Sequence, residues 1–116
     1  MAYYETQAQT GSGEKVKVGT FSNTSSSVAN VSVNIGFKPK RLTAWYSSSS
    51  AKISLVYDED YSTTTHMRGT WTSSQANFTP TQAINSSVGN ALAAINNDGF
   101  TVRSSANRTW HYFAIG

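Results

Sequence analysis

The 116-residue chain has no cysteine and only two prolines. Disulfides and thiolate metal sites are therefore excluded, and redox chemistry fixes no compartment. Charge is just as sparse, with six acidic and nine basic side chains making up 13% of the residues. The acids are too few for the usual acid–base constellations, and no G-x-S-x-G elbow occurs, so the chain is expected not to be an enzyme. Asp58, Glu59 and Asp60 are adjacent and cannot all face one ion, so they read as a charged turn rather than a calcium site. His66 and His111 have no close third ligand. The zinc arrangement still open is one histidine tripled on a trimer axis. No cofactor or metal is expected. No apolar run reaches membrane-spanning length and no apolar stretch follows Met1, so neither an anchor nor a signal peptide is expected.

The chain is rich in hydroxyls instead, with 18 Ser and 14 Thr beside nine Asn. Low charge with many hydroxyls suits a β-rich protein in a dense assembly or outside a cell. The net charge is +3 and the isoelectric point is near 9.3. The basic residues are scattered, and Lys38-Pro39-Lys40-Arg41 is their one cluster. Sustained phosphate contact needs a stripe of cations, so nucleic acid is not the expected partner.

Residues 1–14 show no clean period. Tyr3 and Tyr4 are apolar anchors in a polar stretch, and Gly11-Ser12-Gly13 is flexible punctuation. This segment reads as an N-terminal arm that reaches a neighbouring subunit, ahead of one domain over 15–116. Period-two alternation then sets in. In "KVKVGTF", Val16 and Val18 alternate with Lys15 and Lys17, as in a half-buried strand. Val31, Val33 and Ile35 share a face, as do Leu42, Ala44 and Tyr46, with Thr43 and Trp45 opposite. Ile53, Leu55 and Tyr57 make a third such set. "YSTTTHMRGTW" is β-prone, with Gly69 marking a bulge or bend. "TSSQANFTPTQ" reads as loop, since Pro80 excludes a central strand. Ala91–Ile95 fits either a helical turn or strand and loop, the latter preferred.

The strands over 99–104 and 108–115 read as a hairpin. A two-residue loop would oppose Arg103 and Arg108, a repulsive pair. A three-residue loop, Ser105-Ala106-Asn107, with Asn107 in the left-handed region, avoids this. It pairs Phe100 with Tyr112 and Val102 with Trp110. One face, with Phe100, Val102, Trp110, Tyr112 and Ala114, is core-like. The other carries Thr101, Arg103, His111, Phe113 and Ile115 and needs a cover, either a facing sheet or a neighbouring subunit. About eight short strands at regular spacing imply an all-β fold, an antiparallel β-sandwich with an extended N-terminal arm.

The aromatic residues are the best functional lead. Surface Trp and Tyr stack on sugars or anchor partners. Trp45 and Trp110 read as core fillers. Trp71, flanked by Gly69, Thr70 and Thr72, is open between core and surface platform. Tyr61 is the second candidate for stacking on a ligand or receptor.

Two stretches carry a family resemblance. "VSVNIGFKPKRLTAWYS" resembles the Gly-Phe-x-Pro-Lys element that precedes a strand in small bacteriophage virion proteins. "NNDGFTVRSSANRTWHYFAIG" resembles the end of the same proteins, with an Asp-Gly-Phe-Thr-Val strand and an aromatic strand closing in Tyr-Phe-Ala-Ile-Gly. Together they span about residues 31–116. The resemblance implies a β-sandwich located in the virion, as a capsid decoration or tail accessory subunit whose partners are other virion proteins. The chain also resembles H-type lectin domains, which implies a homo-oligomer, a trimer in that family, and contact with a host-surface glycan. The interface residues expected on the first reading are Tyr3, Tyr4, Phe113 and Ile115. On the alternative, a receptor- or glycan-binding tail module, the stacking residues are Trp71 and Tyr61.

Overall fold

Alternating apolar residues fold into strands that each bury one face. The structure, a computed structural model, describes residues 15–48 and 50–116. The arm assigned to 1–14, with Tyr3 and Tyr4, lies outside the described residues. In chain order the strands are β1 (Val16–Asn23), β2 (Ala29–Asn34), β3 (Arg41–Ser47), β4 (Ala51–Asp58), β5 (Thr65–Thr72), β6 (Ala76–Ala83), β7 (Ala91–Asn96), β8 (Gly99–Ser104) and β9 (Arg108–Ile115). They form two antiparallel sheets, β1-β9-β3-β4-β5-β6 and β2-β8-β7, packed face to face as a β-sandwich.

The core lies between the sheets. Leu42, Ala44 and Tyr46 of β3, Ile53, Leu55 and Tyr57 of β4, and Trp110, Tyr112 and Ala114 of β9 point inward from the larger sheet. Phe100 and Val102 of β8 and Leu92 of β7 meet them from the smaller sheet. Burying a side chain such as Phe100 contributes about 1.5–3 kcal/mol. Val31 and Val33 of β2 pack on this core half-buried, and Ile35 is buried just after them.

Four local expectations change. Val16 and Val18 face outward, and Phe21 and Asn23 are the buried residues of β1. Aromatic packing sets this register. Phe21 stacks on Trp110 with centroids 5.9 Å apart and meets Phe100 edge-on at 5.6 Å. Gly19 leaves room for Tyr112, whose Oη lies 3.0 Å from where a β-carbon would stand. Two valines cannot outweigh those rings.

Second, β8 and β9 are not a hairpin. β8 pairs with β2 and β7, while β9 pairs with β1 and β3. The loop at 105–107 is a corner between sheets, although Asn107 does adopt a left-handed φ of 55°. Phe100 and Tyr112 do meet, at 5.3 Å, but across the sandwich rather than along a ladder. Third, the segment read as loop contains β6, an edge strand in which Pro80 lacks a ladder partner to disrupt. Fourth, Gly69 pairs regularly with Ser54 and Phe78, and the register shift falls between His66 and Arg68.

Side-chain clips hold the corners. The buried Asn23 amide donates to the carbonyls of Ser27, Ser104 and Ser105 at 3.0, 2.9 and 3.1 Å. Its Oδ1 accepts from the Ser25 backbone N–H and hydroxyl. These bonds absorb carbonyls that a β8–β9 hairpin would have used. Trp110 Nε1 donates to Ser104 Oγ at 2.9 Å inside the core. At the smaller sheet's edge, Arg68 reaches across from β5 to the carbonyls of Asn90 and Gly89.

The two stretches carrying the resemblance meet at one end of the sandwich. Gly36 has φ +88°, a conformation that favours glycine, and its N–H, with that of Ile35, donates to the Asp98 carbonyl. Gly99 allows β2 and β8 to approach so closely that a β-carbon there would collide with the Val33 carbonyl. The Phe37 ring lies against Gly116, and Lys40 N–H donates to the Ile115 carbonyl at 2.7 Å. Gly116 N–H donates in turn to Lys15 O at 2.9 Å. The quoted residues thus hold the fold together, and β9 is tied down between two neighbouring strands.

Candidate functional site

The smaller sheet covers only the inner face of the six-stranded sheet. The outer face is formed by the alternate residues of each strand, and the pairing registers set them in cross-strand rows. The first row runs Val16, Ile115, Arg41, Asp58. It holds an ion pair, since Arg41 lies 3.5 Å from Asp58 and 3.3 Å from Asp60. The second row runs Val18, Phe113, Thr43, Val56, Met67 across five strands and carries no charge. The third runs Thr20, His111, Trp45, Ser54, Gly69, Phe78 across all six. The fourth begins with Ser22 and Thr109 and ends with Ser47, Lys52, Trp71 and Ala76.

This face is unusually apolar for one that meets solvent. Val18 and Phe78 are each 64% exposed, and Phe113, the cross-strand partner of Val18, is 40% exposed. Val16, Trp45 and Trp71 are also exposed, and Ile115 is half-buried. The expected interface residues Phe113 and Ile115 therefore share a strip with Val16 and Val18, which the outward turn of β1 adds.

The tryptophans divide. Trp110 is fully buried, as expected, but Trp45 is not a core filler: it is 38% exposed on the outer face. The alternation of β3, with Leu42, Ala44 and Tyr46 inward, already held that signal. Trp71 lies on the same face at 44% exposure. Both indoles are braced. Trp45 stacks on His111 with centroids 5.7 Å apart and planes 19° from parallel. Trp71 folds back over Gly69, where a β-carbon would lie 2.5 Å from Cη2 of the indole. Trp45 and Trp71 line one trough of about 590 Å³ at the β3–β4 hairpin end. Its other walls include Ser47, Ser48, Ser50, Lys52, Ser54 and Ser73.

Tyr61 does not join Trp71. It sits exposed in the turn between β4 and β5, where its N–H donates to the Asp58 carbonyl at 3.0 Å. Six residues of extended β5 separate that turn from Trp71, roughly 20 Å of strand. Asp58, Glu59 and Asp60 form the charged turn that was expected, with Arg41 against it.

The histidines occupy opposite environments. His66 is 1% exposed between the sheets, and its Nε2 accepts the Leu92 N–H at 3.1 Å. Its proton therefore resides on Nδ1, which has no hydrogen-bond partner. Burial, reinforced by the nearby Arg68 charge, lowers its pKa to about 4, and the adjacent Gln82 carbonyl offsets this only in part. With its one lone pair engaged, His66 is closed to a metal. His111 lies outside on the Trp45 indole. Among the described residues no three His, Cys, Asp or Glu side chains gather as a metal site would require.

These features define an antiparallel β-sandwich with one aromatic sheet face that no other described residues cover. Comparison of the chain with protein-family models, with curated proteins and with solved structures returns no match.

Proposed function

We propose that the protein is a non-enzymatic structural subunit of a bacteriophage particle, a capsid decoration or tail accessory protein, that assembles through the outer face of its six-stranded sheet. The observation that carries this reading is the uncharged row Val18, Phe113, Thr43, Val56, Met67, with Val16 and Ile115 alongside. An apolar stripe crossing five strands, about 19 Å at normal strand spacing, is what an interaction surface looks like. The virion assignment rests on the Gly-Phe-x-Pro-Lys and Tyr-Phe-Ala-Ile-Gly stretches.

The occupant of the stripe is a second copy of this chain. An uncharged stripe is self-complementary, so a two-fold axis can pack it on itself. The test is the mass of the purified protein by light scattering, beside Phe113→Asp. The wild type is expected above monomer mass and the variant at monomer mass with its near-ultraviolet Trp110 signal intact. A monomeric wild type at every concentration overturns the self-assembly. Immunogold labelling of particles tests the location, and a label on head or tail is expected.

A further inference from the structure

The trough at the other end of the same face has a different chemistry. Its two indoles offer flat apolar platforms, but its rim is made of hydroxyls and one cation. We infer that this trough binds an acidic glycan, with sugar rings stacked on the Trp71 and Trp45 indoles and a carboxylate, sulfate or phosphate group set against Lys52.

The apolar ring face of a pyranose stacks on indole, while its edge is all hydroxyl. The trough mirrors that division. Among the described residues, the hydroxyls of Ser47, Ser54 and Ser73 make no side-chain hydrogen bonds within the protein, so they stay available to sugar hydroxyls. An apolar peptide seated here would strip water from those groups and leave them unpaired, at a cost of about 1–3 kcal/mol each. The sugar restores the bonds. Among the described residues, Lys52 is the one charged side chain lining the trough, and no carboxylate lines it. In register it stands between Ser47 and Trp71. An acidic substituent there gains a charge-assisted bond that a neutral sugar cannot make.

The site is also prepared before binding. Gly69 lets Trp71 lie down on the sheet, and His111 supports Trp45 from behind. Side chains already held lose little freedom on binding, so less of the stacking energy is consumed in ordering them. A volume of about 590 Å³ suits a short oligosaccharide and is typical of small-molecule sites. The assembly stripe is a separate row of the same face, and its Val18 and Phe113 stand on β1 and β9, outside the trough lining.

The experiment uses the full chain labelled with nitrogen-15. Its three tryptophans give three indole N–H signals, and Trp110, buried and bonded to Ser104, is the built-in control. The titrants are oligogalacturonate, sialyllactose, a chondroitin sulfate tetrasaccharide, a phosphorylated mannose oligosaccharide and neutral maltotetraose. The Trp45 and Trp71 signals are expected to move with at least one acidic member, while Trp110 stays still. Trp71→Ala should weaken that binding by about ten-fold or more, the equivalent of 1.4 kcal/mol. Lys52→Gln should remove the preference for the acidic member over maltotetraose. An unmoved Trp110 signal certifies that each variant is folded. No response to any acidic member, a response that survives Trp71→Ala, or equal binding of maltotetraose overturns the inference. Phe113→Asp should retain the full response, which separates a failure here from a failure of the assembly reading.

Discussion

Trp71 lies on Gly69: a β-carbon at position 69 would come within 2.5 Å of the indole Cη2. The colliding atom is the far end of an exposed side chain, so the fold can yield there without disturbing the core. Gly69→Ala should therefore cost less than about 1 kcal/mol of stability, as surface substitutions usually do. It should nonetheless displace the indole. The Trp71 N–H signal is expected to shift and the Trp110 signal to remain. A Trp71 signal unchanged in Gly69→Ala would mean that the indole does not rest on the glycine.

His66 makes stability fall in acid. Its folded pKa is about 4, against 6.5 when unfolded. Between those values the unfolded chain takes up a proton that the folded chain refuses, so the contribution is complete above about pH 6.5 and is lost as pH falls towards 4. At about 1.4 kcal/mol per pH unit, the loss is on the order of 3 kcal/mol. Urea melts at pH 7 and pH 4.5 should show it. A His66→Gln variant, which cannot titrate, should show a much flatter pH dependence over that interval.

Ser104 receives the Trp110 indole N–H at 2.9 Å and donates its own proton to the Ser105 carbonyl at 2.9 Å. Both Ser104 and Trp110 are buried completely. Ser104→Ala leaves the indole donor in the core without a partner. Such a loss costs about 1–3 kcal/mol. The denaturation midpoint should drop accordingly, with the near-ultraviolet spectrum of the folded state retained.

Gly99 offers no such latitude. The group that a β-carbon would strike is the Val33 carbonyl, part of the backbone of a paired strand. Gly99→Ala has to push β2 away from β8. The expected loss exceeds about 4 kcal/mol, in the range reserved for overpacking and strain. The variant should be recovered largely unfolded, and normal solubility with a near-native melt would show that the strands tolerate separation.

Much of the sandwich is legible along the chain. In β3 and β4 every second residue is apolar, and apart from Trp45 and Val56 the intervening ones are polar, so the buried faces follow largely from alternation. β1 misleads because its two valines are outweighed by Phe21, whose stacking partner is 89 positions away. β8 and β9 mislead because a short loop with a left-handed asparagine serves equally well for a hairpin and for a corner. What separates the two is the Asn23 amide, which takes the Ser104 and Ser105 carbonyls from a distant part of the chain. β6 hides behind Pro80, a residue that an edge strand accepts.

The candidate site was half visible. Trp71 stands out by its small polar neighbours, and its outward position agrees with that. Trp45 is the less obvious of the two, since tryptophan commonly fills cores, yet its place opposite Leu42, Ala44 and Tyr46 turns it outward. Neither local pattern shows that the two indoles share a trough. That depends on the β3–β4–β5 register, which only the folded ladders define. Tyr61 looked equivalent to Trp71 in sequence, yet it belongs to the opposite end of the hairpin.

The mutual hydrogen bonds of Lys15 and Gly116 place positions 15 and 116 at the same end of two adjacent antiparallel strands. Tension applied through those two positions would open the β1–β9 ladder like a zipper, loading one pair of bonds at a time rather than shearing all of them together. The sandwich is mechanically weak in that direction. A load carried into it across the sheet faces would be spread over the whole core instead.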